Sequence, residues 1–83
     1  MKYLICEDFG GHQVAFLFPD RVDHADMREQ LPYARITAAG YIELENNSFR
    51  CFGGSKELDI HARPEQDVAI ILEHLAAPAH SGT

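Results

Sequence analysis

Eleven consecutive residues, Arg35 to Glu45, alternate so regularly that they admit one kind of local structure. Ile36, Ala38, Gly40, Ile42 and Leu44 fall on one side, and Arg35, Thr37, Ala39, Tyr41, Glu43 and Glu45 on the other. A period of two is the signature of a half-buried β-strand, whose successive side chains point to opposite faces. Gly40 in the middle marks a bulge or a close approach of another backbone. Asn46-Asn47 then supplies a hairpin turn, because asparagine tolerates left-handed φ, and Ser48 to Phe52 returns as the next strand.

The flanking segments follow similar rules. Lys2 to Cys6 is short and apolar, and Glu7-Asp8-Phe9-Gly10-Gly11 is turn chemistry. Gln13 to Phe18 is apolar on both faces, through Val14, Phe16 and Phe18 on one and Ala15 and Leu17 on the other, as in a strand covered on both sides. Pro19 stops it. Asp23 can cap a short helix, with Asp26 as a weak capping box and Met27 and Leu31 on its inner stripe. Pro32 ends that helix at Leu31. Gly53-Gly54-Ser55 reads as a turn, and Lys56 to His61 as a last strand with Leu58 and Ile60 inward. Pro64 opens a second helix with Glu65 and Asp67 in its first turn. Val68, Ile71, Leu72 and Leu75 follow i, i+3, i+4, i+7 spacing.

These elements predict an α+β fold in the order β-β-α-β-β-β-α. The expected sheet is mostly antiparallel and five-stranded, because every β–β link is short, and both helices pack on one face. Residues 1–77 make a single domain, and 78–83 a flexible C-terminal tail.

Composition restricts the function classes. Seven Lys and Arg against thirteen Asp and Glu give a formal charge of −6. The basic residues are scattered singly, so the clustered positive charge that binds a nucleic-acid backbone is missing and direct DNA or RNA binding is not expected. No apolar stretch approaches the roughly 20 residues of a membrane span, and carboxylates follow the N-terminus too soon for a signal peptide. The expected location is the cytoplasm, where Cys6 and Cys51 serve as buried thiols rather than a disulfide framework.

Five histidines, His12, His24, His61, His74 and His80, invite a search for metal chemistry. None has the short ligand spacing that announces a metal site, so no metal or cofactor is expected unless His12, His24 and His61 converge. The segment Phe18-Pro19-Asp20-Arg21-Val22-Asp23-His24-Ala25-Asp26-Met27 concentrates the most chemistry. Its aspartates are explained by a turn and a helix cap, yet the group could also form a binding or acid–base corner. No serine sits in a nucleophile elbow, and both cysteines read as core, so no catalytic residue is assigned. Tyr3, Phe9, Tyr33, Tyr41, Phe49 and Phe52 exceed what one small sheet face buries. Some are therefore expected on an open face with Arg35, Thr37, Tyr41 and Glu43, as at protein interfaces. The candidate binding residues are Asp20, Arg21, Asp23, His24, Asp26, Arg35 and Tyr41.

From the first helix onward the α-β-β-β-α order resembles the double-stranded-RNA-binding domain. Pro64, Glu65, Gln66 and Asp67 stand where that family carries basic residues, which removes the implied RNA activity. The opening Met1-Lys2-Tyr3-Leu4-Ile5-Cys6-Glu7-Asp8, the segment Phe18 to Met27 and the closing Arg63-Pro64-Glu65 resemble small uncharacterised proteins of bacteria and their phages. That resemblance implies an accessory role and transfers no residue function. The leading expectation is a non-enzymatic protein that binds another protein, or itself as a homodimer. One form of it is a phage-encoded inhibitor whose acidic surface occupies a nucleic-acid site. The alternative is a small enzyme or metal-binding module centred on His24.

Overall fold

The computed structural model describes residues 1–32 and 35–76. Tyr33 and the 78–83 tail lie outside the described residues. Strands β1 (Lys2–Glu7) and β2 (Gln13–Phe18) form the first hairpin, and α1 (His24–Glu29) follows. Then come β3 (Arg35–Glu45), β4 (Ser48–Phe52), the two-residue strands β5 (Gly54–Ser55) and β6 (Ile60–His61), and α2 (Pro64–Ala76).

The fold is α+β with antiparallel pairing, but it has two sheets rather than one of five strands. Four strands lie in the order β2-β1-β3-β4, and β5 pairs only with β6. The alternation of Leu58 and Ile60 pointed to one continuous strand from Lys56 to His61. In fact residues 56–59 turn, with the Asp59 amide donating to the Lys56 carbonyl at 3.3 Å and Asp59 at φ 55°. Ser55 Oγ accepts the Leu58 amide at 3.3 Å, which fastens the turn to β5.

The helices pack on opposite faces of the sheet, not on one. Tyr3, Ile5, Ala15, Ala38, Ile42 and Cys51 join Val68, Ile70 and Ile71 of α2 in one core. Leu4, Phe18 and Ala39 join Val22, Met27 and Leu31 around α1 in the other, together with Leu58 and Ile60 of the small sheet. The cause is that β1 has no polar side: Tyr3 and Ile5 point one way, Leu4 and Cys6 the other, and all four are fully buried. The middle of the sheet is consequently covered on both sides, and the exposed aromatics among the described residues are Phe9 in the first hairpin and Phe49 on β4. Tyr3 is buried, and Tyr41 and Phe52 are half-buried.

Register explains how β3 serves both cores. Ala38 pairs with Ile5 and Ile36 with Cys6, so Thr37 is an extra residue and the ladder shifts there. The bulge moves Ile36 onto the α1 side, although Ala38, two residues on, faces α2. Gly40 is the place of close approach instead. A Cβ there would lie 2.5 Å from the Phe52 carbonyl oxygen and 3.1 Å from Ala62 Cβ. Asn46 and Asn47, at φ 52° and 64°, make the β3–β4 turn.

Helix α1 stops at Glu29 with Gln30 as C-cap, and Asp23 caps it by position only, without a side-chain hydrogen bond. The inner stripe of α2 is rotated from expectation: Asp67 and Ile71 are buried and Ile70 packs on the core, while Leu72 and Leu75 are exposed.

Candidate functional site

Where β4 ends, β3 continues past it, and the 53–61 segment lies beside this stretch on the α1 side. A cleft of about 770 Å³ opens between the small sheet and the start of α1. Lys2, Asp23, His24, Tyr41, Gly53–Ser55, Lys56, Glu57, Asp59 and His61 line it. Three of the seven sequence candidates meet here: Asp23, His24 and Tyr41.

His24 is 3% exposed, and its Nε2 lies 2.9 Å from the Gly40 carbonyl oxygen. A carbonyl only accepts, so Nε2 carries the proton in this tautomer. The imidazole stands edge-on to Phe18 at 5.4 Å and to Tyr41 at 5.7 Å. Tyr41 stacks on Phe52 at 5.7 Å, and the Arg50 guanidinium lies 4.4 Å above the Phe52 ring. These rings run across the sheet from β2 to β4, and they fix His24 as a wall of the cleft.

Lys2 was absent from the sequence candidates. It occupies a central strand between Phe18 and Tyr41 on its neighbours and is only 8% exposed. Its ammonium donates to the Val22 carbonyl at 2.9 Å, and the Asp23 carboxylate stands at 3.9 Å. The available signal was a lysine in register with Leu4 and Cys6, on a face otherwise apolar.

The other candidates do not join them. Asp20 lies 2.9 Å from the N-terminal ammonium, and Asp20, Arg21 and Asp26 are exposed outside the cleft. Arg35 sits at the opposite end of β3, six residues or roughly 20 Å from Tyr41, and pairs with Glu7 at 3.9 Å. Of the histidines, His24 and His61 both line the cleft. His12 is exposed in the first hairpin, 3.5 Å from Asp8. His74 is exposed on α2. Among the described residues no three of His, Cys, Asp and Glu gather as metal ligands do.

A second polar group lies under α2. Asp67 is fully buried and accepts from the Tyr3 hydroxyl at 2.5 Å, the Arg63 amide at 2.6 Å and Arg63 Nε at 3.0 Å. Burial, reinforced by Asp67, holds the Tyr3 phenol far above its usual range. Burial likewise pushes the Cys51 thiol up to about 11, so neither is ionised near neutrality. The cluster fastens the first turn of α2 to β1 and has no activated nucleophile. Cys6 and Cys51 sit on opposite faces of strands separated by β3, and both are free thiols.

Next to this cluster the α2 side of β4 is incompletely covered. Leu44 and Phe49 form a cross-strand pair and are exposed. A groove of about 380 Å³ runs between β4 and the first turns of α2, lined by Phe49, Arg50, Cys51, Pro64, Glu65 and Val68. No described helix is long and apolar enough to cross a membrane. No family model, no curated protein and no solved structure matches this chain.

Proposed function

We propose that this chain is a non-enzymatic accessory protein that binds another protein along β4 and the adjoining surface of α2. One observation carries the reading: among the described residues β4 is a sheet edge paired on one side only, and its exposed Phe49, with Leu44 of β3 across from it, adjoins a groove with Cys51, Pro64 and Val68 in its walls. Edge strands are usually blunted by proline, lysine or an inward charge. β4 has neither proline nor lysine, and its one charge, Arg50, is neutralised by Glu43 at 2.6 Å and Glu45 at 3.6 Å.

The backbone supports the same surface. A two-residue turn makes its flanking pair, Glu45 and Ser48, a hydrogen-bonded one. Counting along β4, Phe49 and Cys51 then direct N–H and C=O away from β3. An extended partner segment could pair with these groups and place apolar side chains against Phe49 and the groove. Leu72 and Leu75 extend the apolar surface available on α2. The net charge of −6 favours a basic partner over a second copy or a nucleic acid. The buried free thiols fit a reducing cytoplasm.

Affinity capture from cells of the protein's own source tests this, using wild type, Phe49→Glu, Leu72→Glu and, as control, Glu29→Gln on α1. We expect a stoichiometric partner retained by wild type and the control and lost by both surface variants. Retention by all four, or a wild type that self-associates into dimers with no partner, would overturn the reading.

A further inference from the structure

We infer that the cleft between α1 and the small sheet, on the opposite face from β4's exposed apolar pair, is a binding site for a small carboxylate whose remainder is neutral or cationic. The first observation is Lys2. A central strand is a costly place for an ammonium, because burial removes hydration that protein groups must replace. Lys2 is 8% exposed, yet among the described residues its ammonium has one hydrogen-bond acceptor, the Val22 carbonyl. The Asp23 carboxylate, at 3.9 Å, lies beyond hydrogen-bond range. An ammonium has three protons, so two remain for a group entering the cleft that Lys2 lines.

The second observation is the shape and chemistry of the walls. At about 770 Å³ the cleft is the size of a small-molecule site. Its inner walls are rigid: Tyr41 is held between His24 and Phe52, and His24 is fixed by Gly40. Gly53 (φ 77°) packs directly on Tyr41, where an added Cβ would lie 3.1 Å from Tyr41 Cδ1. A ligand's apolar body can therefore lie along Tyr41 and the glycine backbone, with its anionic oxygens at Lys2.

The third observation selects the charge of the rest. Lys56, Glu57 and Asp59 are exposed in the turn at the cleft's rim, and Asp23 is exposed beside α1. Three carboxylates against one lysine oppose a polyanion. They tolerate a neutral tail and favour an ammonium at the outer end. A single carboxylate on Lys2 adds one negative charge beside Asp23, which already stands 3.9 Å from the ammonium, whereas a polyanion would add several there and at Glu57 and Asp59.

The test is an NMR titration of the intact chain with four probes: hexanoate, 6-aminohexanoate, 1,6-diaminohexane and citrate. We expect saturable shifts for the first two at the amides of Tyr41, Gly53, Gly54 and Ser55, with 6-aminohexanoate binding at least as tightly as hexanoate. The Lys2 side-chain Nζ and Cε resonances should move on the same binding curve. Lys2→Met should weaken binding roughly tenfold or more, the loss of a charge-assisted hydrogen bond. The Lys2 resonances are read in wild type, so the test holds even if that variant fails to fold. Overturning results are an absence of saturation with either carboxylate, Lys2 resonances that stay still while the amides shift, or equal binding of citrate or the diamine at the same amides.

Discussion

Gly40 is constrained both at its missing side chain and at its carbonyl. Its missing side chain lets the Phe52 carbonyl and Ala62 close over the strand. Its own carbonyl accepts the hydrogen bond from His24 Nε2–H and so sets one wall of the cleft. Gly40→Ala should cost about 1–3 kcal/mol by overpacking and loosen the ring His24 presents to Tyr41. Urea denaturation with tyrosine fluorescence would register both effects, and an unchanged midpoint would contradict this role. Asp67 is the counterpart under α2. Asp67→Ala removes three bonds at once and leaves the Arg63 guanidinium without its carboxylate, for a loss of about 3 kcal/mol. Tyr3→Phe removes one of the three and should cost about 1 kcal/mol. If the two variants proved equally stable, the carboxylate would not be the centre of the cluster. The same burial sets an alkaline limit. The folded Cys51 thiol keeps its proton up to about 11, while an unfolded thiol releases it near pH ~8.5. Between those values the folded chain binds more protons than the unfolded one. Stability is therefore complete below the unfolded pKa and falls as pH rises through the window. Tyr3, also shifted upward, steepens the loss above pH ~10. Urea midpoints should be flat from pH 7 to about 8 and then decline, and a flat profile to pH ~10.5 would contradict the burial of these groups.

At the level of elements, turn chemistry was legible at Asn46-Asn47 but not at Gly53-Gly54-Ser55, expected to turn, where Gly54 and Ser55 form β5. Asn46-Asn47 holds left-handed φ at both positions, as a two-residue hairpin requires. Asn47→Gly should then raise stability by about 0.5 kcal/mol, because glycine takes that conformation without a Cβ. A loss of the same size would mean the turn is held by the Asn47 side chain instead. Strands β2, β3 and β4 have the limits that alternation and stop residues indicate, and α2 starts at Pro64. The errors share a physical origin. The period of two in β3 could not reveal that Thr37 is an extra residue, because a bulge preserves the apparent pattern while moving Ile36 to the other face. Leu58 and Ile60 do point inward, but a turn stabilised by Ser55 and Asp59 brings them there as well as a strand would. On α2, Ile70 and Asp67 displaced Leu72 and Leu75 from the core. Apolar spacing cannot anticipate that a buried aspartate will anchor a helix through a tyrosine 64 residues away.

At the scale of the molecule, the position of the helices decides what is available for function. Apolar residues on both faces of β1 and β2 were visible in the sequence and required two covering layers. Assigning both helices to one face ignored that requirement and produced an open aromatic face that the fold does not have. With both faces occupied, contact surface is found at an edge and in the gaps between layers. The β4 edge with its groove is one such place, and the Lys2 cleft is the other. His24 could be named as a site residue because it opens a helix in the charge-rich Phe18–Met27 segment; Tyr41 was named for an open aromatic face, and it lines the cleft instead. Lys2 was missed: its place on one face with Leu4 and Cys6 was visible, but not that the segment leading into α1 would cover it with the Val22 carbonyl.

If another protein docks along β4, a photo-crosslinker placed there reads the contact directly. With p-benzoylphenylalanine at position 49 in cells of the protein's own source, irradiation should yield one discrete heterologous adduct. The same group at position 72 should give a weaker adduct of the same mass, and at position 29 on the α1 side none. Adducts of equal strength at all three positions, or at 29 and not at 49, would contradict the claim.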